Sequence, residues 1–369
     1  MTSKQTRRLM WIVNHKTLLP AEVPIFRELG YEVLIPKIIP NHPGYRSGAV
    51  TYDYDSSLTI SKSALEVLNK HDFYGDIHVY RAWSPTLREI VNSNFDVVVS
   101  SFSGFISSLS EAVRHFDGLV CARVFGLTHP NRYMDLLEWL GHAELAAQMG
   151  ARGPRYAFVQ GYENLAEIEP ATLAANPHTV TVPLPDRVFE DENTWRGGGE
   201  AAVFVCPGIE KEGYYRSVYE GIKQDFGDIP HVIFGRQIEP VDDPVILPYL
   251  SDAELTELYV KAPVFVYPST EARHIHYSPI EAMVVGAPVL YKRGALSDIL
   301  AGQADSPGAC ADSEEMRAKA LRLIAGDADL ANAIRAQQGK IVDTFRVELA
   351  RRQWAAILQP GGNVVSASG

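Results

Sequence analysis

The sequence has few cysteines and no long apolar run, and both absences narrow the class of protein. Only three cysteines occur in 369 residues, Cys121, Cys206 and Cys310, and their spacing matches neither a CxxC motif nor a zinc-ligand pattern. So few thiols suit a reducing compartment, and we expect a cytoplasmic protein without a metal site. No stretch reaches the roughly 18–20 consecutive apolar residues that a membrane-spanning helix needs, which favours a soluble or peripheral protein.

Positive charge is also scarce. The chain carries 34 Lys and Arg against 45 Asp and Glu, a formal net charge of −11. Nucleic-acid binding relies on a basic surface that neutralises phosphates, so we expect no nucleic-acid partner. The acidic excess is smaller in residues 1–190 than in the remainder. Any peripheral contact with the inner face of an anionic membrane is therefore expected through this first part.

The order of apolar and amphipathic segments predicts two α/β domains. Strand-like runs such as Ile77–Tyr80, Asp96–Ser101 and Leu119–Val124 alternate with helix-length amphipathic segments, which is typical of a parallel sheet covered by helices. The pattern breaks near residue 190, before Gly197-Gly198-Gly199, and then restarts. Since domains hold about 100–200 residues, we expect Rossmann-like domains over 1–190 and 191–340. A terminal helix with a short tail, 341–369, completes the chain.

Polar residues follow several predicted strands of the first domain. In α/β proteins ligands bind at the carboxyl ends of parallel strands, so two such domains facing each other would share a cleft there. His15 follows the first predicted strand, Met10–Asn14, and Ser103 and Gly104 follow Asp96–Ser101; all three are candidates for binding an acceptor. Arg123 and His129 flank a third strand and are candidates for catalysis, where a histidine could act as general base.

The segment 263–298 is the most informative part of the chain. A buried strand is predicted to end at Tyr267, and a helix follows that ends at Gly286. Ser278 suits the N-cap, Pro279 the first helical position, and Glu281 the fourth position of a capping box. The amides and positive dipole end at the start of such a helix form an anion site, suited to a diphosphate.

Short segments in a fixed order resemble the C-terminal domain of retaining glycosyltransferases of family four. They are Leu250-Ser251-Asp252, Ala262–Ser269, Pro279–Met283 and Gly286–Val289. Upstream, Gly208–Gly213 resembles the family's strand-to-helix turn with its phosphate-binding lysine, and Ile233–Arg236 resembles the glycine turn after the next strand. The resemblance implies the GT-B fold: two Rossmann-like domains whose parallel sheets face a cleft, with a late helix that crosses back to the first domain.

The same resemblance implies roles for individual residues. Glu281 would accept hydrogen bonds from the donor ribose, and the backbone of Tyr277–Ile280 would hold the diphosphate. Lys211 and Arg236 would neutralise the leaving phosphate. The donor-binding candidates are together Gly208, Lys211, Arg236, Glu271, His274, Tyr277, Ser278, Pro279, Ile280 and Glu281.

Two positions depart from the family pattern. The family has a second carboxylate eight residues before the ribose-binding one, but Arg273 stands there in this chain. Glu271 could take that role, or His274 or His276 could replace it; we count His276 among the catalytic candidates. In the first domain, the histidine that commonly follows the third strand is absent, and Arg123 lies at that strand instead.

The sequence thus predicts a glycosyltransferase that moves a sugar from a nucleotide-sugar donor to a hydroxyl of a carbohydrate or lipid-linked acceptor. We expect retention of configuration, no metal, no cofactor, and a place in glycan or surface polysaccharide biosynthesis. Two alternatives are an epimerase of GT-B fold that acts on a nucleotide sugar without an acceptor, and a non-catalytic subunit that binds nucleotide sugars.

Overall fold

The chain folds as two compact α/β units. This computed structural model describes residues 6–13, 17–36, 58–75, 77–127, 131–211, 213–302 and 305–359. Unit 1 comprises Met1–Pro185 with Arg346–Gly369, and unit 2 comprises Asp186–Phe345. The chain passes between them after Pro185, rather than after residue 190, and returns at Arg346 rather than at residue 341.

Unit 1 contains a six-stranded, fully parallel sheet with the strand order β2-β1-β3-β4-β5-β6. Its strands are β1 (Arg7–Ile12), β2 (Tyr31–Leu34), β3 (Val97–Ser100), β4 (Leu119–Val124), β5 (Tyr156–Gln160) and β6 (Pro177–Thr179). Its helices are α1 (Leu19–Glu28), α2 (Lys62–Lys70), α3 (Pro85–Asn94), α4 (Ile106–His115), α5 (Tyr133–Trp139), α6 (Glu144–Ala151) and the last helix, α13 (Val347–Leu358). The central strand β3 is buried along its whole length, as expected for a strand covered by helices on both faces.

Unit 2 contains a five-stranded parallel sheet with the order β11-β10-β9-β7-β8. Its strands are β7 (Ala202–Val205), β8 (His231–Phe234), β9 (Phe265–Tyr267), β10 (Val289–Lys292) and β11 (Ala309–Cys310). Its helices are α7 (Gly213–Phe226), α8 (Asp252–Lys261), α9 (Tyr277–Val285), α10 (Leu296–Ala301), α11 (Ser313–Ile324) and α12 (Ala328–Asp343). Phe204, Phe226 and Leu290 are among the buried side chains of its core.

Helix α13 packs onto unit 1. The Trp354 ring meets Phe26 of α1 edge-on, with ring centroids 4.9 Å apart. The Gln353 amide oxygen accepts a hydrogen bond from the Thr181 backbone N–H at 2.9 Å. These contacts pack α13 against α1 and against the chain that follows β6. Within the described part of the chain, no helix combines the length and the apolar character needed to cross a membrane.

Candidate functional site

Each sheet has one point where the strand order reverses, and the predicted site residues cluster at these points. In unit 2, β7 lies between β8 and β9, so the loops that follow β7 and β9 diverge to opposite sides of the sheet. Such a reversal leaves a crevice at the carboxyl ends of the two strands, where α/β proteins bind ligands. Gly208 and Lys211 follow β7, while Glu271, His274 and His276 follow β9. Both sets of donor candidates thus lie on the two loops that flank the switch point of unit 2.

The turns after β7 and β8 approach each other closely at a glycine and are linked by the hydrogen bonds of one amide side chain. Gly235 has φ 130°, and a Cβ atom there would lie 2.8 Å from the Pro207 backbone nitrogen. The Gly208 N–H donates to the Arg236 carbonyl at 3.0 Å. The Gln237 side chain accepts from the Ile209 N–H at 3.0 Å and donates to the Cys206 carbonyl at 2.8 Å. Sequence analysis missed Gln237, because an amide in a polar loop gives no signal of its bonding.

We expect Gly235→Ala to destabilise the protein by roughly 1–3 kcal/mol, the usual cost of a non-glycine residue held in a forbidden backbone region. The close approach to Pro207 adds to that cost. Urea unfolding should show a lower midpoint than for the matched variant Gly198→Ala. Gly198 also has positive φ, 86°, but a Cβ atom added there would meet nothing within 4 Å. Equal midpoints for the two variants would contradict a role for this close approach.

The two predicted phosphate-binding cations lie at the surface beside these turns. The Lys211 ammonium is 3.7 Å from a Glu239 carboxylate oxygen, and both side chains are about half exposed. Arg236 is also exposed. A solvated ion pair of this kind contributes little to stability, so a phosphate could replace Glu239 as the partner of Lys211 at low cost.

The start of α9 differs from the prediction. The helix begins at Tyr277, its N-cap is His276, and no side chain caps it. The predicted N-cap Ser278 and capping box with Glu281 are therefore wrong. The His276 N–H donates instead to the Tyr267 hydroxyl at 3.2 Å, so a side chain from β9 satisfies the amide. The predicted end at Gly286 is confirmed, with this residue at φ 94°.

His276 connects the starts of two helices. Its Nε2 is 3.1 Å from the hydroxyl of Tyr215 in the first turn of α7, and its Nδ1 is 3.4 Å from the Tyr267 hydroxyl. The imidazole stacks on the Tyr215 ring, and His274 meets it edge-on with ring centroids 5.2 Å apart. Burial raises the pKa of Tyr267, which keeps this phenol protonated. The positive ends of α7 and α9 are thus held next to each other.

Glu271 lies beside the same aromatic cluster. Burial, together with the nearby Glu271 carboxylate, raises the pKa of Tyr214 to about 12. The Glu271 backbone carbonyl accepts the Leu296 N–H at 2.8 Å, which fixes the loop to α10. Further along, Tyr277 and Ser278 are partly exposed, whereas Pro279 and Ile280 are buried, so only the backbone of the last two is a candidate for contact with a ligand.

Glu281 lies in a pocket of ≈ 260 Å³. The lining residues come from the 3-10 helix Asp186–Asp191, from α8 and from α9; they are Arg187, Val188, Asp191, Asp252, Ala253, Leu255, Thr256, Tyr259, Glu281 and Val285. Helix α8 precedes β9 and α9 follows it, and the two helices pack on each other. The pocket lies between them, with a lining that runs from Asp252 at the start of α8 to Val285 at the end of α9.

The environment of Glu281 favours its protonated form. Burial, with a further contribution from the negative charge of Asp252, raises its pKa to about 7. The Tyr259 hydroxyl donates a long hydrogen bond of 3.5 Å to the Glu281 carboxylate. Around the pocket, the carboxylates of Asp191, Asp252 and Glu281 face a single lining cation, Arg187, which pairs with Asp252 at 3.3 Å. Such a pocket suits a neutral group rich in hydroxyls better than it suits a phosphate.

In unit 1, Arg123 has a structural role. Its side chain is fully buried, 0% exposed, and pairs with an equally buried Glu22 at 2.8 Å. It also donates to the Val180 carbonyl at 2.6 Å and to the Thr181 carbonyl at 2.9 Å. None of its surface reaches solvent, so a substrate could not touch it without opening the core. This burial removes the reason for listing Arg123 among the catalytic candidates.

Two further unit 1 candidates, Ser103 and Gly104, follow β3, which lies at the switch point of this sheet between β1 and β3. Ser103 and Gly104 form a short 3-10 turn directly after β3, ahead of α4. The Tyr74 ring packs so closely on Gly104 that a Cβ atom would overlap it. His15 and His129 lie outside the residues that the structure describes.

Comparison with known proteins identifies relatives by structure alone. No protein-family model and no curated protein matches the sequence. A crystal structure of a glycosyltransferase from Rickettsia africae matches with a TM-score of 0.57 at 11% identity, covering 96% of this chain and 99% of that one. Anabaena HepE, crystallised with UDP and glucose, matches with a TM-score of 0.57 at 10% identity, covering 95% and 98%.

TarM of S. aureus matches with a TM-score of 0.51 at 12% identity over 72% of this chain. The present chain spans 55% of the length of TarM. At sequence identities this low, the structural similarity shows a shared fold and not a shared activity. With two parallel Rossmann-like sheets and these structural neighbours, the chain has the GT-B fold, which confirms the architecture predicted from the resemblance to family-four glycosyltransferases.

Proposed function

We propose that the protein is a glycosyltransferase that transfers a sugar from a nucleotide-sugar donor to a hydroxyl of a carbohydrate or lipid-linked acceptor. The observation that carries the proposal is the Glu281 pocket between α8 and α9 of unit 2, in a GT-B fold. Among the structural neighbours, HepE was crystallised with UDP and glucose, and the resemblance in sequence assigns Glu281 to the donor ribose.

The pocket matches the nucleoside part of the donor. At ≈ 260 Å³ it is smaller than the roughly 300–1,000 Å³ of pockets that enclose a whole ligand. Its acidic lining disfavours phosphate oxygens but accepts hydrogen bonds from ribose hydroxyls. Glu281 and Asp252 supply such acceptors, with Tyr259 orienting Glu281.

The diphosphate is assigned to the adjoining region of positive potential. Backbone amides at the start of α9, around Tyr277 and Ser278, point away from the helix and attract anions. Lys211 and Arg236 lie on the turns after β7 and β8, at the same edge of the sheet. Fixed positive charge is needed there because the nucleoside diphosphate gains negative charge as it departs.

In the proposed reaction, the bond between the sugar anomeric carbon and the diphosphate oxygen breaks through an oxocarbenium-like transition state. The acceptor hydroxyl oxygen forms the new glycosidic bond to the anomeric carbon, and its proton passes to the departing diphosphate oxygen. Lys211, Arg236 and the helix amides supply the stabilising charge, so the proposal includes no metal and no cofactor. Retention of configuration follows the family resemblance, and His276, held between Tyr215 and Tyr267, remains our candidate side chain near the reacting groups.

A thermal-shift screen with UDP, GDP, ADP, TDP and CMP tests the donor site. A ligand that binds only the folded protein raises its melting temperature, by an amount set by its concentration over its Kd. We expect one nucleotide to give a shift that Glu281→Ala and Lys211→Ala each abolish. Lys261→Ala is the matched control, because Lys261 is exposed and pairs with Glu257 at the far end of α8. No shift with any nucleotide, or a shift unaffected by both substitutions, contradicts this donor site.

Turnover separates transfer from the alternatives. The sugar nucleotide of the selected base is incubated with carbohydrate and lipid-linked acceptors, and nucleotide release is measured together with the glycosylated product. Acceptor-dependent release supports transfer. Conversion of the sugar without release indicates an epimerase, and nucleotide binding without either change across the acceptor panel indicates a binding subunit; both contradict the proposal.

A further inference from the structure

Three of the six exposed large apolar side chains among the described residues lie together on unit 1. Val79, Tyr80 and Trp139 keep 49%, 41% and 63% of their surface in contact with solvent. The rings of His78 and Trp139 meet edge-on with centroids 5.7 Å apart, and the centroids of Tyr80 and His142 are 5.9 Å apart. These five side chains form one continuous surface, which we name the aromatic surface.

The aromatic surface is anchored by a buried carboxylate. Glu111 on α4 is 2% exposed, and it accepts hydrogen bonds from the Tyr80 hydroxyl at 2.5 Å and from the Trp83 backbone N–H at 3.0 Å. Arg114, one turn further along α4, donates to the Tyr80 hydroxyl oxygen at 3.0 Å, and its guanidinium carbon lies 5.8 Å from the centroid of the Tyr80 ring. Tyr80 is therefore fixed before a ligand arrives, so binding would cost little side-chain entropy there.

Polar groups that donate and accept hydrogen bonds adjoin these rings. Burial lowers the pKa of His142, so its imidazole is neutral at pH 7 and carries one N–H donor and one acceptor nitrogen. The Glu144 carboxylate accepts from Arg114 at 2.7 Å, and the Gln148 amide oxygen accepts from Arg114 at 3.0 Å. Because a carboxylate has about four acceptor positions, the exposed Glu144 can also accept from a ligand.

Charge and area argue against a membrane or a protein partner. Anionic membranes attract clusters of Lys and Arg, whereas Arg114 is already paired with Glu144, and Glu138 adds a further exposed negative charge. Since an aromatic side chain has about 250 Å² of surface at most, Tyr80 and Trp139 together expose roughly 260 Å² at their respective fractions. A stable protein interface buries about 800 Å² on each partner. The area fits a small ligand better.

We propose that the aromatic surface binds an uncharged saccharide chain, with a sugar ring packed on the exposed indole of Trp139 and its hydroxyls bonded to the adjoining polar groups. A pyranose ring has a face of C–H groups, which packs on the negative π-face of an aromatic ring. Its hydroxyls both donate and accept, as the groups around Trp139 do. The surface lies within unit 1 and includes none of the donor candidates, so this inference goes beyond the proposed function and does not depend on it.

The test is calorimetric titration with neutral hexasaccharides of glucose, mannose, galactose and N-acetylglucosamine. Trp139→Ala should weaken binding of the saccharide that the wild type selects by about 10-fold or more, the effect of losing one buried aromatic contact. Trp139→Phe keeps a ring and should stay within about 3-fold of the wild type. Tyr249→Ala removes an exposed aromatic ring from unit 2 and is the matched control, expected to bind like the wild type. The nucleotide-induced thermal shift should be unchanged in Trp139→Ala, which excludes general unfolding as the cause.

The outcomes separate this inference from the proposed function. A wild type that binds none of the saccharides overturns the inference, and so does undiminished affinity in Trp139→Ala. Binding to vesicles of phosphatidylcholine with phosphatidylglycerol, or a dimer in analytical ultracentrifugation, that Trp139→Ala abolishes while no saccharide binds would assign the surface to a membrane or to a second copy instead. Saccharide binding that Trp139→Ala abolishes, in a protein that no nucleotide stabilises, supports the inference and contradicts the proposed function.

Discussion

Glu281→Gln is expected to stabilise the ligand-free protein at pH 8, with the gain fading as the pH falls towards 4.5. In the folded protein the pKa of Glu281 is about 7, because burial and then Asp252 disfavour its charged form, whereas its ordinary value is 4.5. The folded state therefore holds this proton more tightly than the unfolded state. Stability is lost as the pH rises from 4.5 to 7, and the penalty is complete above pH 7.

The size of the gain is at most roughly 3.5 kcal/mol, because each pH unit between the two pKa values costs about 1.4 kcal/mol. Glutamine cannot ionise, so it avoids this cost while keeping the shape of the side chain. In a unit of this size such a gain corresponds to a rise in melting temperature of several degrees. Differential scanning calorimetry at pH 5, 6.5 and 8 measures it. Glu220→Gln, at an exposed position on α7, is the matched control.

Nucleotide binding should change in the opposite direction. The carboxylate of Glu281 accepts ribose hydroxyls in the proposed complex, and glutamine offers fewer acceptor positions. We therefore expect the Glu281→Gln protein to melt higher than the wild type at pH 8 and yet to gain less from added nucleotide. A buried charge that costs stability and serves binding is a common feature of functional sites. A variant that melts lower than the wild type at pH 8, without ligand, would contradict this account.

Much of the fold could be predicted from the sequence, because buried elements leave a recognisable pattern of apolar residues. The runs at Asp96–Ser101 and Leu119–Val124 contain β3 and β4 as predicted, since strands buried on both faces are mostly apolar. The predicted strand Ile77–Tyr80 is instead a turn, with Val79 and Tyr80 exposed. The missed strand β6, Pro177–Thr179, lies at the sheet edge and begins with proline, so it carries neither alternation nor an apolar run.

The candidate site shows which of its features the local sequence can predict. The spacing S-x-x-E occurs at Ser251–Glu254 and again at Ser278–Glu281, but only the first forms a capping box. At the second, the Tyr267 hydroxyl accepts a hydrogen bond from the His276 N–H, and the Tyr259 hydroxyl donates one to Glu281. The two tyrosines belong to other elements, β9 and α8. The candidates chosen from motif order, Gly208, Lys211 and Glu271 among them, lie on the loops that follow β7 and β9. The partners that set the protonation of Glu281 and the geometry of His276 depend on packing and could not be derived from spacing.

The buried pair of Arg123 and Glu22 shows why the sequence alone could not separate a catalytic role for Arg123 from a structural one. An arginine at the carboxyl end of β4 is equally compatible with contact to a ligand and with an ion pair in the core. The deciding partners are distant in sequence: the Glu22 carboxylate on α1 and the indole N–H groups of Trp11 and Trp354, which donate to Glu22 at 3.1 and 3.3 Å. One carboxylate thus joins β1, α1, β4 and α13 within unit 1.

We expect Arg123→Met to lower the free energy of unfolding of unit 1 by about 3–5 kcal/mol, because it leaves the Glu22 carboxylate buried without its cation. Glu22→Gln should cost a comparable amount, since it leaves the guanidinium unpaired. The double variant buries no charge and should be less destabilised than the sum of the two single variants. Chemical denaturation of all four proteins gives the coupling energy. The exposed pair Arg351 and Glu28, 2.7 Å apart in the same unit, is the control and should show a coupling below about 1 kcal/mol.

The same cycle decides between the two roles of Arg123. A structural ion pair predicts that turnover falls only as far as the folded population falls, and that the double variant recovers both together. A catalytic arginine predicts a loss of turnover in Arg123→Met and in the double variant alike, at temperatures where both proteins remain folded. Full burial of Arg123 behind Glu22, Val180 and Thr181 favours the first pattern, because a substrate gains no access to the guanidinium in the folded protein.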